Sequence, residues 1–418
     1  MRLLHFADLH LGVENYGRLD PSTGLHSRLS DFTQSLEYVV DTALQEHVDL
    51  VVFAGDAYRN CNPNPTWQRA LALHLRRLQE ATVPIAIVVG NHDSPATFGR
   101  ASSVDIFNAL GLENTYVVGQ PKLFHIETKS GPIQFAGLPW PTRHYLRADE
   151  RFKNLSPESM NHHIAQICAA QIAEFSGQLD PALPSVLAAH VTLAEATYSG
   201  SERTAMIGDD PVLTAAVFAE SAFDYVALGH IHRHQNLNPN DTPPVVYSGS
   251  IERIDFGEAA ETKGVCLVDL PSNDTPLTSY RFVPTPARRF VSIEVDGSTT
   301  GDPTASVIAA IETAEIADSI VRVTCLLDEG RGERLDTARV RAALTEAHCV
   351  AAIIPRYCDP DELQRRASLS EEVALDEALD RYLGNHPSLH AERDILKKYA
   401  GRLETELATV DAGEISQP

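Results

Sequence analysis

Five short apolar runs, each closing on a residue able to bind a metal or move a proton, constrain this chain more than any other feature. Run 3–7 ends in Asp8-Leu9-His10, and run 48–54 ends in Gly55-Asp56. Run 84–89 ends in Gly90-Asn91-His92-Asp93, run 185–189 in His190, and run 223–228 in Gly229-His230-Ile231-His232. Each run is nearly unbroken, the pattern of a strand buried on both faces. Strand side chains alternate, so Asp8 and His10 point to one face where the first strand stops. In three of the five a glycine immediately precedes the polar residue. Open α/β sheets bind ligands outside the carboxyl ends of their strands. Five such ends carrying nitrogen and oxygen donors predict one site.

The intervening sequence predicts how those strands are joined. Leu29, Phe32, Leu36, Val39, Val40 and Ala43 recur at helical spacing over 29–46, with Ser27 or Ser30 as cap. Residues 57–65 are a Pro/Asn-rich loop, and 66–81 form a second crossover helix, as βαβ units require. Strands are expected over 116–118, 122–128 and 132–137, then a helix over 156–175 capped by Ser156. Strands resume at 245–247, 264–270 and 279–283. The predicted fold is α/β: two facing mixed β-sheets flanked by helices.

Pro284-Thr285-Pro286 marks a boundary. Beyond it a strand (290–295), a helix (303–314), a strand (320–327), a helix (337–347) and a strand (350–355) make a small α/β module. From 359 the chain is polar and helical, with apolar stripes through Leu375, Leu379, Tyr382 and Leu383 and through Ile395, Tyr399 and Leu403. The tail from Thr409 has no periodicity and is expected to be disordered. The expected domains are 1–284, 285–357 and the helical segment 358–408, followed by the tail 409–418.

Composition excludes several classes. At 418 residues the chain exceeds one ordinary core. No apolar stretch is long enough to cross a bilayer, and Asp8 and His10 interrupt the only early apolar run, so no signal peptide is expected. Six scattered cysteines without CxxC spacing predict neither a zinc knuckle nor a disulfide framework, and point to a reduced, cytoplasmic setting. A net charge of -23 argues against a generic nucleic-acid coat. It leaves room for an enzyme that grips a phosphodiester through bound cations or through a partner.

Asp8, His10, Asp56, Asn91, His190, His230 and His232 are too many donors for one ion and suit two ions sharing a bridging carboxylate. Imidazole and carboxylate without thiolate fit Mn²⁺, Fe or Zn²⁺ better than Ca²⁺. Two such ions about 3.5–4 Å apart are the clamp used in phosphoester hydrolysis. His92 is left to protonate a leaving oxygen, with Asp93 orienting it or its neighbours. Tyr58 and Arg59 follow Asp56 closely enough to touch a phosphate. Other histidines, His5 and His234 among them, are read as core or solvated residues.

The donor set, in this order, resembles the calcineurin-like metallophosphoesterase family. Within it, Phe6-Ala7-Asp8-Leu9-His10-Leu11-Gly12, Gly90-Asn91-His92-Asp93-Ser94-Pro95 and the stretch 247–258, Tyr-Ser-Gly-Ser-Ile-Glu-Arg-Ile-Asp-Phe-Gly-Glu, are similar to the SbcD family of DNA nuclease subunits. By that resemblance Asp8, His10, Asp56 and His232 hold the first metal, and Asp56, Asn91, His190 and His230 the second. His92 is then the catalytic histidine, with Asp93, Arg59, Tyr58 and Ser250 around the metals or against the substrate. Several relatives carry His where this chain has Arg59, which bears on exonuclease against endonuclease activity. The resemblance implies a Mn²⁺-dependent 3′→5′ double-strand exonuclease and structure-selective endonuclease. It would serve DNA repair and recombination as a homodimer. The small module would cap DNA, and the terminal stripes would bind an SbcC-type coiled-coil ATPase. Two other readings remain in this sequence: a phosphoesterase of nucleotides or small phosphodiesters, and a non-catalytic scaffold with a vestigial metal site.

Overall fold

The computed structural model describes the chain apart from residues 96–98, 143–154, 201–209, 272–276, 329–333, 359–378, 381–382, 384–392 and 402–418. The chain divides into two compact units. The first comprises residues 1–293, 313–323 and 344–352, and the second 294–312, 324–343 and 353–418.

The first unit opens with strand–helix alternation: β1 (Arg2–Phe6), α1 (Ser27–Gln45), β2 (Leu50–Phe53), α2 (Pro65–Glu80), β3 (Ile85–Val88), α3 (Asp105–Ala109) and β4 (Thr115–Val118). β5 (Lys122–Thr128) and β6 (Gly131–Leu138) form a hairpin. After them come α4 (Pro157–Gly177), β7 (Ser185–His190), the short β8 (Thr192–Leu193) and β9 (Val212–Leu213), α5 (Ala215–Ala219) and β10 (Tyr225–Gly229). β11 (Gln235–Asn236), β12 (Val245–Tyr247), β13 (Gly264–Asp269) and β14 (Ser279–Pro284) complete the sheets. One six-stranded sheet runs β14-β13-β1-β2-β3-β4, and the other β11-β12-β10-β7-β6-β5. Both are mixed: β1 is parallel to β2 and antiparallel to β13, while β10 is parallel to β7 and β12 and β11 is antiparallel to β12. The expected pair of mixed sheets flanked by helices is the observed fold.

Three apolar layers follow from that arrangement. Between the sheets lie Leu3, Val52, Val88, Phe135, Val186, Tyr225, Val246 and Val268, drawn from strands of both. The other face of the first sheet packs Phe6, Phe53 and Ile87 on Phe32, Leu36 and Val39 of α1 and Leu71 and Leu75 of α2. The second sheet packs Leu187 and Val226 on Ile164, Cys168 and Ile172 of α4. Central strands buried on both faces are why their sequences read as unbroken apolar runs.

Helix ends follow local chemistry. Asn64 caps α2 by accepting from the Thr66 and Trp67 N–H groups at 2.9 and 3.1 Å, with Pro65 in the first turn. Ser156 caps α4 as expected, accepting from the Ser159 N–H. For α1 the expected Ser27 or Ser30 is replaced by His26, whose Nδ1 accepts from the Arg28 N–H. Ser27 is already helical, and its hydroxyl accepts instead from the Arg18 N–H.

Further along, β15 (Phe290–Asp296), β16 (Ile320–Asp328) and β17 (Cys349–Cys358) form a three-stranded sheet in that order, with α6 (Pro303–Thr313) and α7 (Thr337–Ala343) between them. Buried Val307, Ile311, Cys325, Leu327 and Val340 belong to the second unit. The helix expected over 337–347 stops at Ala343, and the Ala347 N–H turns back to the Leu344 carbonyl. Among the described residues no helix is long and apolar enough to cross a membrane, and no disulfide is formed.

His5 ties the two sheets through their shared interior. Its Nε2–H donates to the Leu228 carbonyl at 3.2 Å, which leaves Nδ1 to accept the Tyr225 hydroxyl at 3.0 Å. Burial pushes the imidazole down to about 3. The unfolded chain therefore binds a proton that the folded chain refuses. Stability from this site is full above the ordinary histidine value of about 6.5 and is lost as pH falls from there toward 3. His5→Gln keeps a donor and an acceptor but cannot titrate. Denaturant unfolding of the two proteins between pH 6.5 and 4 is expected to show a shallower loss in the variant, by about 1.4 kcal/mol per pH unit. Parallel pH curves would remove His5 as the cause.

Candidate metal centre

Register brings the strand ends level. Phe6 pairs with Phe53, and Phe53 with Ile87, so the residues after β1, β2 and β3 emerge together. The Asp8 N–H donates to the Gly55 carbonyl and the His10 N–H to the Asp56 carbonyl, both at 3.0 Å. In the other sheet His190 pairs with Gly229, placing His190 beside His230. The sheets meet at the Ala54 carbonyl, which accepts from His190 Nδ1 at 2.7 Å.

The glycines before the donors are explained by clearance. A Cβ on Gly229 would lie 2.1 Å from the Ala54 oxygen, and one on Gly90 2.1 Å from Asp56 Oδ1. A Cβ on Gly55, whose φ is +101°, would lie 2.3 Å from His190 Nδ1. The donors themselves bend sharply away from their strands. Asp8 (φ 54°), His10 (47°), Asp56 (60°) and His230 (99°) all have positive φ. Such conformations cost about 1–3 kcal/mol each and persist where surrounding structure enforces them.

The donor atoms converge. His10 Nε2 lies 3.0 Å from His232 Nε2 and 3.7 Å from Asp56 Oδ2. His190 Nε2 lies 3.4 Å from Asp56 Oδ2 and 2.9 Å from Asn91 Oδ1, which is also 3.1 Å from His230 Nδ1. Both Asp8 oxygens accept from the His230 N–H. Asp8, Asp56, His10, His190, His230 and His232 are all buried. Asn91 is half-buried and His92 is exposed, so the centre is open on the side of these two residues.

Electrostatics there are unbalanced without a cation. Burial pushes the Asp8 carboxyl up to about 6 against the pull of His190 and His232. Burial works against Asp56 too, but His190, His92 and His10 outweigh it and hold that carboxyl well below its usual range. His190 is raised to about 9: burial lowers it, and Asp56 more than compensates. Burial drives His10 and His230 far down. His190 donates its Nδ1–H to Ala54, so its Nε2 faces inward and would exchange its proton for a cation, while His230 Nε2 has no partner. Two carboxylates and inward-facing imidazole nitrogens suit divalent cations. Geometry groups Asp8, His10 and His232, and separately Asp8, Asp56 and His190, as triads whose ligand atoms all lie within 4.8 Å.

His92 sits at the rim. Its ring is edge-on to His10 with centroids 4.8 Å apart, its N–H donates to Asp56 Oδ1, and its Nδ1–H donates to the Arg59 carbonyl at 2.8 Å. It also lies close enough to His10 and Asp56 to count as a third possible donor. Asp93 is fully buried and braces the loops, accepting from the N–H groups of Asp56, Ala57 and Gly90 and from Ser103 Oγ. Burial, then Asp56, pushes its carboxyl up to about 6. Ser250 is buried behind His232, its N–H donating to the His232 carbonyl and its hydroxyl to the Glu252 carbonyl.

One expectation needs correction. Tyr58 is fully buried in the core beneath the first sheet's helices, so it does not face a substrate. Arg59 is exposed, and it reaches the centre through its backbone carbonyl on His92. Of the terminal stripes, Leu375, Tyr382 and Leu403 lie outside the described residues. Leu379 is half-buried and Leu383 buried, while Ile395 and Tyr399 are 59% and 60% exposed on one helical face. Sequence reasoning missed Glu258, which accepts from His232 Nδ1 at 2.8 Å, and Trp140, whose ring lies 4.8 Å from that of His230. Glu258 carries no periodic signal, and Trp140, two residues past β6, is not a metal donor.

Comparison with known proteins is consistent with this geometry. A family model described as Calcineurin-like phosphoesterase matches residues 1–234. The chain is similar to the SbcD component of the SbcCD nuclease of Bacillus subtilis (strain 168), 31% identical over 274 residues. That stretch covers 64% of this chain and 66% of the relative, just under two thirds of its length. Among solved structures, TT1561 of Thermus thermophilus overlaps with a TM-score of 0.37 at 14% identity, over 67% of this chain and 98% of its own. A dimetal phosphatase from Danio rerio overlaps with a TM-score of 0.40 at 11% identity, over 68% of this chain and 96% of its own. Scores this low support no statement about this chain.

Clearance at Gly90 gives a direct test. Gly90→Ala is expected to displace the Asp56 carboxylate, lower bound metal by elemental analysis, and destabilise the protein by about 1–3 kcal/mol in thermal unfolding. Gly177→Ala, at the end of α4 with nothing within 4 Å of the new Cβ, is the control and is expected to be neutral or slightly stabilising. Full metal content in Gly90→Ala would show that the close approach has no bearing on the centre.

Proposed function

The chain belongs to the calcineurin-like phosphoesterase family, and from that membership we propose that it is a metal-dependent DNA nuclease subunit working with an SbcC-type coiled-coil ATPase. The observation that carries the reading is the convergence of Asp8, His10, Asp56, Asn91, His190, His230 and His232 on one buried centre, open beside His92. Likeness to a protein whose name is that of a nuclease supports DNA as the substrate.

In this reading Asp8, His10, Asp56 and His232 hold one divalent ion, and Asp56, Asn91, His190 and His230 the other, with Asp56 shared. The ions, Mn²⁺ by preference, would supply charge neutralisation at phosphorus and a more acidic water. His92 keeps its Nδ1 proton on the Arg59 carbonyl, so the doubly protonated ring would hand its Nε2 proton to the leaving oxygen and end as the neutral Nδ1–H tautomer. Asp93 holds the loops that carry Asp56 and Asn91 in place. Cutting would be 3′→5′ exonucleolytic and structure-selective endonucleolytic, with Arg59 bearing on their balance.

The proposed organisation is a nuclease domain over 1–284, a DNA-capping module over 285–357 and a partner-binding segment over 358–408. Exposed Ile395 and Tyr399 support helix-to-groove docking on the ATPase. A net charge of -23 supports an enzyme whose grip on DNA is shared with that partner. A cytoplasmic homodimer completes the reading.

Incubating the purified chain with Mn²⁺ and labelled duplex or hairpin DNA, with and without the ATPase, tests the proposal. Asp56→Asn is expected to abolish cutting and reduce bound metal. His92→Ala is expected to keep metal and DNA affinity while losing about 10²–10⁴-fold in turnover. Metal loss in His92→Ala, with slow cutting of a substrate carrying a better leaving group, would make His92 a ligand instead. Ending the chain after Asp359 is expected to leave Mn²⁺ occupancy and cutting of a small phosphodiester unchanged while removing co-purification with the ATPase and ATP stimulation. A truncated chain that still binds the ATPase tightly would end the docking assignment.

A further inference from the structure

Behind His232, on the side away from the other donors, lies a buried ion pair that the proposed chemistry does not use. Glu258 and Lys263 both have fully buried side chains, with Lys263 Nζ 2.9 Å from Glu258 Oε2. Each Glu258 oxygen is committed. Oε1 accepts from His232 Nδ1 at 2.8 Å, and Oε2 also accepts from the Ile254 N–H at 3.0 Å. Lys263 Nζ donates to Glu261 at 2.8 Å and to the His232 carbonyl at 3.1 Å. The same carbonyl accepts from the Ser250 N–H at 3.0 Å. Gly249 packs beside it, and a Cβ there would lie 2.6 Å from that oxygen. His232 is thus clamped at its ring by Glu258 and at its backbone by Lys263 and Ser250.

Stability does not explain such a pair. Burying a carboxylate and an ammonium costs several kcal/mol per ion in lost hydration, and apolar replacements of similar volume are often as stable. What the pair does supply is the tautomer of His232. With its proton held on Nδ1 by Glu258, the Nε2 lone pair must face His10 Nε2, 3.0 Å away. Without an acceptor behind it, the ring can carry its proton on Nε2 and present a donor where a cation should sit. A carboxylate behind a ligating imidazole also raises its basicity.

We propose that Glu258 is the positioning carboxylate for His232, with Lys263 as its buried counter-ion, and that the pair sets metal affinity on the His10–His232 side of the centre. This rests on the reading of His232 as a ligand. It also gives a physical task to the 247–258 stretch, which contains Gly249, Ser250 and Glu258.

The test uses the full chain. Mn²⁺ binding by calorimetry is paired with nitrogen-15 NMR of the histidines in chelator-treated, metal-free protein. Glu258→Ala is expected to weaken one Mn²⁺ site about 10–100-fold, leave the other unchanged, and move His232 from a pure Nδ1–H tautomer to a mixture. Glu258→Gln, which keeps an acceptor but not the charge, is expected to retain the tautomer and weaken the same site by less. Wild-type affinity and an unchanged tautomer in Glu258→Ala would overturn the proposal. Should Glu258→Ala fail to fold, Glu258→Gln decides: a several-fold weaker site supports the proposal, and unchanged affinity overturns it. His232→Ala separates the two readings. Loss of a site in His232→Ala but not in Glu258→Ala defeats the positioning role alone. Retention of both sites in His232→Ala defeats the ligand assignment on which it stands.

Discussion

The donors of the centre are divided between two sheets that share no strand, and their alignment depends on the apolar layer between those sheets. Asp8, His10, Asp56 and Asn91 follow β1, β2 and β3, whereas His190, His230 and His232 come from the ends of β7 and β10. Leu3, Val52 and Val88 from one side meet Val186, Tyr225 and Val246 from the other. Close packing transmits small shifts, so this layer fixes distances at its edge. Register matters equally, because a slip of one residue turns every side chain of a strand to the opposite face. The Ala54 carbonyl, touched by His190 and crowded by Gly229, is where the two sheets are gauged against each other.

Around that contact the chain accepts several local costs. Positive φ at Asp8, His10, Asp56 and His230 turns the donors out of their strands and toward one another. Removing Cβ at Gly55, Gly90 and Gly229 allows the approach. Asp93 answers with four hydrogen-bond donors on one buried carboxylate. The electrostatic result is a pair of buried carboxylates whose behaviour diverges. Asp8 is pushed toward its neutral form, and Asp56 is held in its charged form among imidazoles.

Much of this was legible in the sequence for a physical reason. A strand buried on both faces is apolar nearly throughout, with an internally bonded residue such as His5 as the exception, so the polar residue that closes the run marks its end, and a glycine beforehand marks crowding. Legibility fails where a residue acts through something other than its own pattern. Arg59 meets His92 through a backbone carbonyl, which every residue has. Tyr58 sits in a polar-looking loop, yet its ring turns into the core. Ser27 has the chemistry of a cap, but His26 occupies the capping position. Glu258 is a single carboxylate at the end of a short 3-10 turn, Phe256–Glu258, and its partner lies 26 residues earlier, a pairing that no periodicity encodes.

The position of β1 has a consequence for how the protein is made. β1 lies between β2 and β13, so this strand finds its second neighbour only when Gly264–Asp269 appears. Asp8 meets the His230 N–H across 222 residues of chain. At about 5–20 residues per second, that separation is roughly 10–40 s of synthesis. Contacts so distant in sequence fold slowly, and an unpaired strand edge is exposed to other chains meanwhile. For that interval the nascent chain carries Asp8, His10, Asp56 and Asn91 without the imidazoles that complete the centre. The metal site therefore waits on the second sheet and is closed by the chain returning to β1.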